Sequence, residues 1–134
     1  MAYVQSGLRR VTDLETENML LRIRNHSAFD SLVLGKATRY DLDALVAVSN
    51  MAMALSRKYG EDWKEELVTA ANAIEGIQKR MKRWGKIQAT DAEATAIDTL
   101  LKVHDLQLDA SDVADLEKAI IIARKGVNGL KETA

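Results

Sequence analysis

The chain has no cysteine and no proline, only seven glycines, and aromatic residues make up 4% of its length. Without cysteine there are no disulfides, no thiolate nucleophile and no cysteine zinc site. Without proline there are few enforced breaks, which favours helices over a turn-rich β architecture. So few aromatics supply no broad platform for stacking on bases. Neither sign of charge dominates: 19 Lys and Arg stand against 20 Asp and Glu, a formal net charge of -1. No global attraction to nucleic acid or to an anionic membrane follows. The longest uncharged run, Ala44 to Ser56, falls well short of the ~20 residues that span a bilayer. The opening MAYVQSGLRR lacks the apolar core of a signal peptide. The expectation is a cytoplasmic protein with no membrane partner. At 134 residues it reads as a single domain over 1–134, with residues 1–11 as a flexible N-terminal segment.

Helix starts are written locally. Thr12-Asp-Leu-Glu15, Thr38-Arg-Tyr-Asp41 and Thr90-Asp-Ala-Glu93 each place a threonine hydroxyl three residues before an acid. The hydroxyl can cap a backbone N–H while the acid bonds back and complements the positive end of the helix dipole. Gly35, Gly60 and Gly85 each follow an apolar periodic run and suit the left-handed conformation that closes a helix. These signals predict an all-α compact bundle of about five helices. They run from about Asp13 to Leu34, Arg39 to Tyr59, Glu61 to Trp84, Asp91 to Leu108 and Asp112 to Leu130. The second helix is apolar on most sides, with Asp43 the only charge between Leu42 and Ser56, and is expected to be central. The fifth carries the stripe Val113, Leu116, Ile120, Ala123, Val127 and Leu130.

The third helix has the clearest stripe: Trp63, Leu67, Ala70, Ile74, Ile77, Met81 and Trp84 at alternating gaps of four and three. Such a stripe seals an intramolecular core or zips against a second subunit. The core reading is the simpler, and a homodimer is carried beside it. The same helix begins with Glu61, Asp62, Glu65 and Glu66. It ends with the basic cluster Lys79, Arg80, Lys82, Arg83 and Lys86. Acids at the start and cations at the end each stabilise a helix by ~0.3–1 kcal/mol, which accounts for the segregation without a ligand. The functional alternative is a binding surface of Lys79, Arg80, Lys82, Arg83, Trp84 and Lys86, with cations on phosphates and an indole on a base. Eight acids against two bases over residues 87–119 argue against it. The stretch ATRYDLDALVAVS is read as one continuous helix, since Ala47 and Val48 occupy the place where a helix-turn-helix would need its turn.

His104 falls between Leu101 and Leu108 on the apolar stripe of the fourth helix. It reads as a core histidine first and a general base second. With Asp105, Gln107 and Asp109 it forms a candidate polar site. His26 has Asp30 one turn on, a spacing that suits an ordinary pair on a helix surface. No metal-ligand spacing, nucleophile elbow, phosphate loop or dinucleotide fingerprint occurs, so neither a metal nor a cofactor is expected and no catalytic residue is assigned.

Two stretches, LLRIRNHSAFDSLVLGKATRYDLDALVAVSNMAMAL (20–55) and VHDLQLDASDVADLEKA (103–119), resemble small helical proteins encoded in proteobacterial prophages and plasmids. The shared features are Arg22, Asn25, His26 and Thr38, and the run His104, Asp105, Gln107, Leu108 and Asp109. The resemblance implies an accessory product of a mobile element in a bacterial host. Such a product would act as a non-enzymatic regulator that binds a host or phage protein in transcription or defence. A nucleic-acid-binding regulator using residues 79–86 is the alternative.

Overall fold

The computed structural model describes the backbone of residues 2–59 and 63–110 and the side chains of residues 16–57 and 63–110. Among the described residues there are four helices: α1 (Ala2–Val33), α2 (Arg39–Tyr59), α3 (Lys64–Trp84) and α4 (Asp91–Ala110). Among the described residues there is no strand, as the sequence predicts. The fifth helix, expected over 112–130, and Gly60 lie outside the described residues.

Local chemistry sets the boundaries. Thr38 N–H donates to Asp41 Oδ2 at 2.8 Å and Asp41 N–H to Thr38 Oγ1 at 3.3 Å, closing the box that starts α2. Thr90 and Glu93 do the same for α4, at 2.9 and 3.2 Å. Gly35 and Gly85 adopt φ of 71° and 72°. Lys36 N–H then reaches Ser31 O at 2.8 Å, and Gly85 N–H reaches Met81 O at 2.8 Å. Both glycines thus satisfy carbonyls that the ending helix leaves open.

Two expected boundaries move. α1 begins at Ala2 rather than near Asp13, so the helix runs straight through Thr12–Glu15. A capping box favours a start without enforcing one, and no proline precedes it to stop the turn from extending. α3 begins at Lys64, with Trp63 as its N-cap residue.

Short connections make α1/α2 and α3/α4 hairpins. α1 and α4 are also antiparallel, because Arg22 pairs with Asp109 and His26 with Asp105 in a constant register. Hence α2 and α4 run parallel to each other, as do α1 and α3. α2 touches all three other helices, whereas α1 and α3 face each other across the bundle diagonal. The centrality expected of α2 is observed: Leu42, Leu45, Val48, Met51, Ala52 and Leu55 are all buried. One continuous core joins Ala28 and Leu32, the α2 residues, Leu67, Ala70, Ile74 and Ile77, and Ile97, Leu100 and Leu101. The α3 stripe is core in its middle. Its two tryptophans are exposed, Trp63 by 47% and Trp84 by 66%.

Candidate functional site

The basic cluster divides into engaged and free cations. Lys79 pairs with Glu75 one turn back at 3.1 Å. Arg80 crosses to α4, donating to Glu93 Oε1 and, at 3.0 Å, to the Gln88 carbonyl. The same Glu93 oxygen accepts the Thr90 N–H, so one carboxylate caps α4 and anchors α3. Burial alone would raise the Glu93 pKa. The hydrogen bonds from Arg80 and Thr90 and the Arg80 charge outweigh it and hold the carboxyl below its ordinary value. Gly76 makes the approach possible, because a Cβ there would lie 2.8 Å from Glu93 Oε2.

Lys82, Arg83 and Lys86 form no ion pair among the described residues. Arg83 lies over the Trp84 ring, 5.1 Å from its centroid, and so partly orders an exposed indole. Arg80, Trp84, Lys86 and Gln88 together line an open cleft of about 270 Å³. The predicted surface of six residues is therefore three free cations and an indole beside a structural arginine and a lysine, Lys79, paired within its own helix.

The predicted polar site also divides. His104 and Gln107 are buried, while Asp105 and Asp109 line the outer seam between α4 and α1. Gln107 Nε2 donates to the Ala52 carbonyl of α2 at 3.0 Å, which turns Oε1 toward His104 Nδ1 at 3.2 Å. An amide oxygen only accepts, so Nδ1 carries the proton and Nε2 presents a lone pair. That Nε2 has no partner among the described residues, nor does the buried Asn25 Nδ2. Burial pushes the His104 pKa below its ordinary value, opposed by the Gln107 contact and the Asp105 charge. His104 is accordingly a neutral core residue.

At the seam, Arg22 Nη2 donates to Asp109 Oδ1 at 2.5 Å, and His26 Nε2 pairs with Asp105 Oδ2 at 2.8 Å. His26 thus engages α4 rather than Asp30 on its own helix. The last turn of α4 has no basic residue of its own. Two carboxylates near a helix C-terminus oppose its dipole; the Arg22 guanidinium compensates one, and the His26 ring pairs with the other.

Sequence reasoning missed one juxtaposition. Because α1 and α3 run parallel, the turns that follow them, around Gly35 and Gly85, share one end of the bundle. Residues 33–40 and 82–90 together contain Lys36, Arg39, Lys82, Arg83 and Lys86 and no acid. Val33, Leu34, Tyr40 and Trp84 at this end are 58%, 69%, 64% and 66% exposed. Arg24 lies over the Tyr40 ring at 4.7 Å, as Arg83 does over Trp84. The local sequence carried the signal in halves, each a basic turn with uncovered apolar residues; only the topology joins them.

Comparison with protein-family models, curated proteins and solved structures finds no match to this chain. Among the described residues no group of three or more metal-ligating side chains occurs, and no helix is long and apolar enough to cross a membrane.

Proposed function

We propose that this chain is a non-enzymatic interaction protein, a regulatory product of a mobile element that binds a host or phage protein and so modulates transcription or defence. The supporting observation is the turn end of the bundle. Four large apolar side chains stand uncovered there although the core beneath is closed. Exposed apolar groups clustered within a rim of charge are the common mark of a protein-binding surface. The resemblance of residues 20–55 and 103–119 to prophage and plasmid proteins supports the mobile-element part of the reading.

The test is affinity capture from bacterial lysate with the wild-type chain and with a Leu34→Asp/Trp84→Ser variant. A stoichiometric protein that the wild type retains and the variant loses is expected. Recovery of nothing, or equal recovery by both, rejects the reading.

The free cations Lys82, Arg83 and Lys86 beside Trp84 favour a second reading, a nucleic-acid-binding regulator. Arg80 and Lys79 are already engaged, which leaves it the smaller footprint. It requires salt-sensitive oligonucleotide binding that disappears when two of the three free cations become glutamate.

A further inference from the structure

Resting on the protein-partner reading above, we propose that the turn end captures an acidic, extended segment of the partner that carries large apolar side chains. One of these sits in the cleft between Arg80, Trp84, Lys86 and Gln88.

Charge complementarity selects this occupant. The two turns present five cations and no acid. Of the nearest acids, the Asp41 and Glu93 carboxylates accept the Thr38 and Thr90 backbone N–H groups, and Glu93 also accepts from Arg80. They are thereby turned into their helix starts rather than competing for Lys36, Arg39 or Lys86. Two exposed acids remain at the margin, Asp91 on the first turn of α4 and Asp30 one turn before Leu34 on α1, against the five cations of the turns.

The cleft itself has one structural cation and one free one. Arg80 is neutralised by Glu93, so its guanidinium forms a fixed planar wall. Lys86 supplies the uncompensated charge. Trp84 forms the apolar wall, steadied by Arg83 over its ring. A carboxylate on Lys86 with an aromatic or leucine side chain against the indole satisfies both halves.

Apolar content distinguishes a polypeptide from a nucleic acid. Val33 and Leu34 are aliphatic and uncovered, and a sugar-phosphate backbone gives them nothing to bury against. A long polyanion would also run past the exposed Asp91 at the start of α4. A short segment avoids it. Helices packed ~10 Å apart put the α1 and α3 ends on the order of 14 Å apart across the diagonal. An extended chain spans that in about four or five residues.

The test uses the full chain carrying Trp63→Phe, which leaves Trp84 as the fluorescent reporter. The probes are a short peptide alternating Asp or Glu with Leu and Phe, the same peptide with Lys in place of the acids, and a single-stranded oligonucleotide of similar length. The acidic peptide is expected to shift Trp84 emission and to bind more weakly as salt rises, while the basic peptide does not bind. The triple variant Lys82→Glu/Arg83→Glu/Lys86→Glu, with unchanged circular dichroism, should weaken the acidic peptide at least about tenfold. Leu34→Ser should weaken it separately. Silence of Trp84 toward the acidic peptide overturns the proposal, as does tighter binding of the oligonucleotide through the same cations. A captured lysate partner that survives the triple reversal but is lost with Leu34→Asp/Trp84→Ser defeats the acidic-segment proposal and leaves the protein-partner reading standing.

Discussion

Arg80 on α3 donates to the same Glu93 oxygen that accepts the Thr90 N–H at the start of α4. One carboxylate oxygen therefore closes a capping box and ties two helices. Glu93→Ala removes both and should lower unfolding free energy by about 1–3 kcal/mol in urea titration. Arg80→Ala should cost less, and the double variant should fall short of the sum, since both act on one contact. Additive losses would show the two to be independent.

Gly76→Ala sets two effects against each other. Alanine in a helix interior is worth ~1 kcal/mol over glycine. Here the new Cβ would meet Glu93 Oε2 at 2.8 Å, and that carboxylate is held by Arg80 and Thr90. The substitution should therefore gain nothing in the wild type and stabilise by up to ~1 kcal/mol in a Glu93→Ala background. A stabilising Gly76→Ala in both backgrounds would dissolve the packing argument.

The pH dependence has two windows. His104 has a lowered folded pKa, so the unfolded state binds the extra proton first. Stability is unaffected above the unfolded value of about 6.5 and declines as pH falls below it, at up to ~1.4 kcal/mol per pH unit. Glu93 is also lowered, so its contribution is present above the unfolded value of about 4.3 and is lost as pH falls through the folded one. Denaturant midpoints between pH 7.5 and 5 should drop more for the wild type than for His104→Leu. Parallel curves would mean that the imidazole takes up its proton in the folded state.

The outer seam should contribute little. Arg22–Asp109 and His26–Asp105 are partly solvated pairs, so Asp105→Asn or Asp109→Asn should each cost less than ~1 kcal/mol by thermal unfolding. A larger loss from either would show that the seam holds α1 in place.

What the sequence disclosed was short-range. The Thr38/Asp41 and Thr90/Glu93 boxes span three residues, and the Gly35 and Gly85 closures span a single turn, so each is visible without the fold. His104 as a core residue and α2 as the central helix follow from periodicity alone. Arg80 and Glu93 are thirteen residues apart and face each other only after the α3/α4 turn is made, so a count of cations could not show one of them occupied. His26 had a sequence neighbour of suitable charge in Asp30, yet its partner is Asp105, seventy-nine positions away. The start of α1 at Ala2 is not legible in Thr12–Glu15, because a capping box permits a helix start without enforcing one. Gly76 was the available hint of a close helix approach, since glycine within an otherwise good helix marks a place where something comes near.

Gln107 gives the two parallel helices α2 and α4 a single axial setting. Apolar side chains tolerate a slide of one turn, about 5.4 Å, because one leucine replaces another at the interface. The bond from Gln107 to the Ala52 carbonyl does not, since a displaced amide would be stranded in the core with His104 beside it. The amide thus acts as a vernier mark. Replacing it with leucine would strand the His104 Nδ1–H in the core, at about 1–3 kcal/mol, and leave the helices free to settle in more than one alignment, visible as broadened or doubled methyl resonances from Leu101 and Leu108.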